Sequence, residues 1–95
     1  MITDILNTAS SIKNGRTISQ IFTYTIEEIG ELATELNIVD GYSDKNPGKD
    51  GVVGEAVDAI ICLIDLIYTH RPTITEDELA QVCANKLSKW KEKSN

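Results

Sequence analysis

The chain is 95 residues long, enough for one domain and too short for two independent cores. Fifteen acidic against nine basic residues give a net charge of −6, which argues against the basic face that nonspecific binding to a nucleic-acid polymer or an anionic membrane rewards. With 41% hydrophobic residues, few aromatics and two prolines that fall in expected loops, residues 1–95 read as a single all-α domain.

The first helix is short and amphipathic, with Ile2, Ile5, Leu6, Ala9 and Ile12 at helical spacing. Thr3 is expected to cap its start and Asn14-Gly15 to stop it. The opening Met1-Ile-Thr-Asp has neither the basic start nor the cleavage site of a signal peptide, so a cytoplasmic location is expected.

Thr17-Ile-Ser-Gln20 forms a capping box that opens a second, longer helix running to about Asn37. Ile18, Ile21, Phe22, Ile26, Ile29, Leu32, Ala33 and Leu36 make its apolar stripe. Beside the stripe runs a row of acids, Glu27, Glu28, Glu31 and Glu35, with Glu28 nearest the apolar edge and Glu27 farthest from it. By itself such a row reads as a solvated face.

Residues 38–51 turn polar and form a loop. Asp44, Asn46 and Asp50 ahead of Glu55 imitate a calcium loop, but Lys49 stands where the turn needs glycine and Pro47 stiffens the fourth position.

The third helix, Val52 to Tyr68, is apolar around most of its circumference at about 100° per residue, so it is expected to be buried on nearly every side, with oligomerisation helping to cover it. Its polar residues, Gly54, Glu55, Asp58, Cys62, Asp65 and Thr69, crowd into one arc. Those three acids keep it from reading as a membrane span. A buried carboxylate protonates or finds a cation, and Glu55 and Asp58, three apart, point the same way. Pro72 ends the helix just beyond His70, which reads as a residue suited to the helix dipole.

A second capping box, Thr75-Glu-Asp-Glu78, opens a fourth helix with a stripe of Leu79, Val82, Cys83, Leu87 and Trp90. Lys86 falls within that stripe by angle, with Asn85 and Lys89 along one edge. Lys86 either snorkels outward along its stem or waits for an anion inside. Cys62 and Cys83 lack C-x-x-C spacing and read as small core residues of a reducing compartment.

If the second and third helices lie antiparallel, Glu28 and Glu31 face Glu55 and Asp58. Four carboxylates in one place repel, and a divalent cation reverses the sign. Oxygen donors without histidine or thiolate select Mg2+ or Mn2+ over zinc, and the absence of Glu-x-x-His pairs disfavours a di-iron bundle.

These residues resemble a known signature. Glu27-Glu28-Ile-Gly-Glu31 followed by Glu55-Ala-Val-Asp58 is similar to the EExxE and ExxD motifs of the MazG-like all-α nucleoside triphosphate pyrophosphohydrolases. Tyr24-Thr25, Gly54 and Asn85-Lys86 extend the likeness over about residues 18 to 90. The resemblance implies a four-helix MazG-like bundle completed by oligomerisation into a homodimer or homotetramer. It implies Mg2+-dependent cleavage of a nucleoside triphosphate into the monophosphate and pyrophosphate. Carried over by position, Glu28, Glu31, Glu55 and Asp58 are metal ligands and Glu27 a catalytic acid that orients water, a role that competes with plain solvation. Asn85, Lys86 and Lys89 fall on the substrate side. The chain departs from the pattern at Lys89-Trp90, where arginines are frequent; Trp90 either stacks on a base or packs in the core.

Three other readings stand beside this one. A relative with a narrow substrate, such as dUTP, dCTP or phosphoribosyl-ATP, is the closest. A noncatalytic helical interaction module would turn the acids to a basic partner. In the plainest reading the acids are held in structural ion pairs with lysines.

Overall fold

Four α-helices follow one another: α1 (Ile2–Ser11), α2 (Ile18–Val39), α3 (Gly51–His70) and α4 (Glu76–Ser94). The computed structural model describes residues 1–94, and no strand occurs among them. The fold is all-helical, and none of its described helices is long and apolar enough to cross a membrane.

Local signals explain the starts of α2 and α4. At the start of α2 the Thr17 hydroxyl accepts from the Gln20 N–H and the Gln20 side chain accepts from the Thr17 N–H, the expected capping box. Thr75 and Glu78 repeat it at α4. Such a cap is worth about 1 kcal/mol. The start of α1 differs from expectation: Met1 holds the N-cap position without a side-chain bond, and Thr3 donates its hydroxyl to Glu76 at the start of α4. Nor does Asn14-Gly15 stop α1: the helix ends at Ser11 with Ile12 extended at its C-cap, and Gly15, in the left-handed region at φ 70°, turns the segment that leads to α2.

α2 and α3 form the central pair. Glu31 lies against Glu55, Glu28 against Asp58 and Thr25 against Cys62. Each step of three or four residues back along α2 is thus matched by one forward along α3, so the two run antiparallel. The face α2 turns inward carries Ile21, Thr25, Glu28 and Glu35, all buried, with Leu32 half-buried. α3 answers with Ala59 and Cys62, from the side that carries its polar arc.

Several packing expectations are overturned. Of the α2 stripe, only Ile21 is buried, while Phe22 and Ile26 are 54% and 51% exposed and Ile18, Ile29 and Leu36 are exposed too. α3 is not enclosed: Val53, Val57, Ile60 and Leu63 are exposed, as is Ile61, which borders a cavity. On α4 only Leu79 is buried. Val82, Cys83, Lys86, Leu87 and Trp90 are exposed. The reason is common to all three helices. A helix buries only the side that has a neighbour, and among the described residues α4 approaches α1 alone while α1 and α2 each pack on α3 but not on one another. The result is a flat molecule, 45 × 43 × 21 Å with a radius of gyration of 15.7 Å, against about 13 Å for a compact chain of a hundred residues.

Candidate metal centre

The α2–α3 pair gathers the acids that the two motifs mark. Single carboxylate oxygens of Glu28, Glu31 and Glu55 lie within 4.8 Å of one another, as do oxygens of Asp50, Glu55 and Asp58. Glu55 is common to both groups, so the acids form one continuous site along the seam. Glu28 is buried, Glu55 and Asp58 are half-buried, and Glu31 and Asp50 are exposed. This places the open side of the site near the loop that joins the helices.

Two oxygens in the site are anomalous. Oε2 of Glu28 and Oε2 of Glu55 are buried without a hydrogen-bond partner, whereas buried polar atoms are ordinarily satisfied. Among the described residues no lysine or arginine pairs with any of these acids; the ion pairs present are Arg16–Asp65 and Arg71–Glu78. Burial, then the adjoining Glu31, push the Glu55 carboxyl up to about 7, with Asp58 and Glu28 adding to the effect. Glu28 is likewise raised, first by burial and then by Glu31 and Asp58, against a lowering from the Tyr24 hydroxyl beside it. Tyr24 is raised in turn by Glu28. The donor set is made of hard carboxylate oxygens with no lysine or arginine paired to them among the described residues, which fits a divalent cation of the Mg2+ or Mn2+ kind.

Asp50 was treated in the sequence only as part of an unfit calcium loop. It stands at the N-cap of α3 with its side chain making no cap bond. A Cβ on Gly54 would overlap the Asp50 side chain, so the missing side chain at Gly54 gives this aspartate room. The signal was present as Asp50, Gly54 and Asp58 at i, i+4 and i+8, one side of a helix.

Other acids serve elsewhere. Glu35, read from the sequence as part of a solvated row, is buried and accepts the Gly48 N–H at 2.7 Å, tying the loop to α2. Asp65 receives both Nε and Nη2 of Arg16, at 2.8 and 2.6 Å. Glu27 is exposed and lies outside both groups of acids, beside a shallow surface with Ser19, Gln20 and Thr23. Asn85, Lys86 and Lys89 are exposed on α4, which approaches neither α2 nor α3; Asn85 accepts from Gln81. Within one chain the basic residues are therefore not brought to the acids.

Next to the acids is a cavity of about 440 Å³, walled chiefly by Ile5, Ala9, Ile12, Ile21 and Ile61. Tyr24 and Cys62 belong to its lining, and both adjoin Glu28. Burial, then the charge of Glu28, raise the Cys62 thiol, which therefore stays protonated. An apolar chamber of this size beside a charged site is what a small organic ligand with one ionic end requires. Compared with protein-family models, curated proteins and solved structures, the chain finds no match in any of the three.

Proposed function

We propose that this chain is a MazG-like nucleoside triphosphate pyrophosphohydrolase that uses Mg2+, or Mn2+ in its place. The observation that carries the reading is the pair of buried, partnerless carboxylate oxygens on Glu28 and Glu55, inside a cluster with no basic neighbour. In this reading Glu28, Glu31, Glu55 and Asp58 hold the cation, with Asp50 as a further oxygen donor.

A bound divalent ion would supply charge neutralisation for the phosphates and a lower pKa for an attacking water. The chain's own residues do the rest. The carboxylates would hold that ion, and through it the triphosphate, at the open, loop side of the seam, and Tyr24 orients Glu28 through its hydroxyl. The apolar cavity takes the nucleoside end and shields it from water. The water-orienting part that the resemblance gives Glu27 has no support within one chain, where that acid is exposed and outside both acid groups. The products are the monophosphate and pyrophosphate.

The outward apolar faces of α2, α3 and α4 support a homodimer or homotetramer in which a second copy covers them. Such a copy would also offer Asn85, Lys86 and Lys89 of its α4 to the phosphates, which the same chain does not do. A noncatalytic interaction module is the second reading, favoured by the same exposed faces; it leaves the orphaned oxygens of Glu28 and Glu55 without a purpose. Structural ion pairs with lysines have no support among the described residues.

The deciding assay is a panel of ribo- and deoxyribonucleoside triphosphates, with dUTP, dCTP and phosphoribosyl-ATP included, read by pyrophosphate release. Turnover with Mg2+ and none in chelator is expected. Absence of turnover on every substrate, together with a melting temperature indifferent to Mg2+, would return the chain to the interaction-module reading.

A further inference from the structure

We infer that Arg16 and Asp65 are positioning residues whose ion pair fixes α1 as a wall of the cavity and so sets which nucleosides the cavity admits. The substrate part of this inference rests on the hydrolase reading; the placement of α1 does not.

α1 has ten residues and buries only Ala9, and a helix this short is marginal on its own. It makes no close approach to α2. The cavity occupies the space between them, with Ile5, Ala9 and Ile12 on the α1 side, Ile21 and Tyr24 on the α2 side, and Arg16 and Asp65 themselves in its lining. Packing on α3 and the Thr3–Glu76 bond at its start hold α1 in part; a further tether must hold its C-terminal end.

Arg16 does so. Its Nε and one Nη2 hydrogen go to the two oxygens of Asp65 on α3. The other Nη2 hydrogen goes to the Ala9 carbonyl at 2.9 Å, and Nη1 donates to the Ile12 carbonyl and to Asn14 Oδ1 at 2.9 and 3.0 Å. All five guanidinium donors are thereby used. The Ala9 and Ile12 carbonyls are at the end of α1, where a helix leaves acceptors short of partners; Ala9 also takes the Ile12 N–H. One side chain thus closes the helix end and ties it to α3. A saturated guanidinium has no donor left for a phosphate, which separates this role from substrate binding. Lysine could not replace it, having three donors and no planar fork.

Asp65 is two helical turns beyond Asp58, so the anchor and the metal site share one side of α3. Loosening the anchor therefore changes the width of the cavity without touching the acids.

The test compares the full-length protein with its Arg16→Lys and Asp65→Asn variants, both close in size to the native residues. Amides of α1 are expected to exchange with deuterium at least tenfold faster while α2 and α3 keep their protection. For the best substrate KM is expected to rise at least tenfold with kcat changed less than threefold. The preference between pyrimidine and purine nucleotides should shrink, and the Mg2+ midpoint should stay in place. Unchanged α1 exchange in both variants would overturn the inference, and so would a fall in kcat at constant KM. If the native protein hydrolyses no triphosphate, the hydrolase reading fails, and α1 exchange alone judges the anchor.

Discussion

Glu28 and Glu55, on neighbouring antiparallel helices, each turn one oxygen into a buried space that holds no donor for it. Both carboxyls are raised, burial being the first cause. Among the described residues only the Tyr24 hydroxyl, beside Glu28, eases the charge these residues acquire on ionising and no lysine or arginine pairs with them, so the seam between α2 and α3 stores a repulsion that a cation would discharge.

The first prediction concerns pH. An unfolded glutamate ionises near its ordinary value of about 4.3, but Glu55 in the folded chain holds its proton to about 7. The folded state binds more protons across that window. Stability from this group is therefore complete below the unfolded value and is lost as pH rises through about 7. The melting temperature of the metal-free protein should fall between pH 5.5 and pH 8, and added Mg2+ should raise it more at pH 8, where the ligands are ionised. Scanning calorimetry with and without chelator checks both, and a melting temperature flat with pH would contradict the reading of Glu55.

Neutral replacements separate the metal role from folding. Glu55→Gln and Asp58→Asn remove repulsion, so at pH 8 each should match or exceed the native protein in metal-free melting temperature. Each should also abolish the Mg2+-induced rise and lower turnover at least a hundredfold. A fully active Asp58→Asn protein would remove that residue from the ligand set.

What the sequence disclosed was local. The capping boxes at Thr17 and Thr75 follow from spacing within a few residues, while the alignment of Glu28 and Glu31 with Glu55 and Asp58 follows only once α2 and α3 are taken as antiparallel neighbours. What it concealed was which side of each helix finds a neighbour. The apolar arc of α2 is wide, and α3 takes only the edge carrying Ile21, Thr25 and Glu28, leaving Phe22 and Ile26 outside. Periodicity identifies an apolar face but not whether the covering partner is in the same chain. Trp90, placed in a stripe with Leu79, is 69% exposed for that reason. Asp50 and Glu35 escaped because their roles depend on Gly54 and Gly48, where the missing side chain makes room.

Glu35 offers a test confined to the loop. Its buried carboxylate accepts the Gly48 N–H, and removing the acceptor costs about 1–3 kcal/mol. Glu35→Ala should lower the melting temperature and speed exchange at the Gly48 amide, while the Mg2+ midpoint shifts little because Glu35 lies outside the acid groups. Loss of Mg2+ binding in this variant, measured by titration calorimetry, would show instead that the loop closes the metal site.

The final prediction asks whether α4 acts on its own chain. Lys86 and Lys89 are exposed on a helix that approaches neither α2 nor α3, while the Glu28–Glu55 site has no cation beside it. If a second copy brings the lysines to the phosphates, Lys86→Ala/Lys89→Ala protein and Asp58→Asn protein should each be nearly inactive. Mixing them under conditions of subunit exchange should then restore activity, because some mixed pairs hold one site with intact acids facing intact lysines. With random pairing into dimers, half of the molecules are mixed and carry one such site out of two, so recovery approaches one quarter of native turnover. Ile26→Glu, placed on the exposed stripe of α2, should prevent pairing in sedimentation experiments and block the recovery. A mixture as inactive as its components, in samples shown to have exchanged subunits, would assign the lysines no part in a neighbour's site.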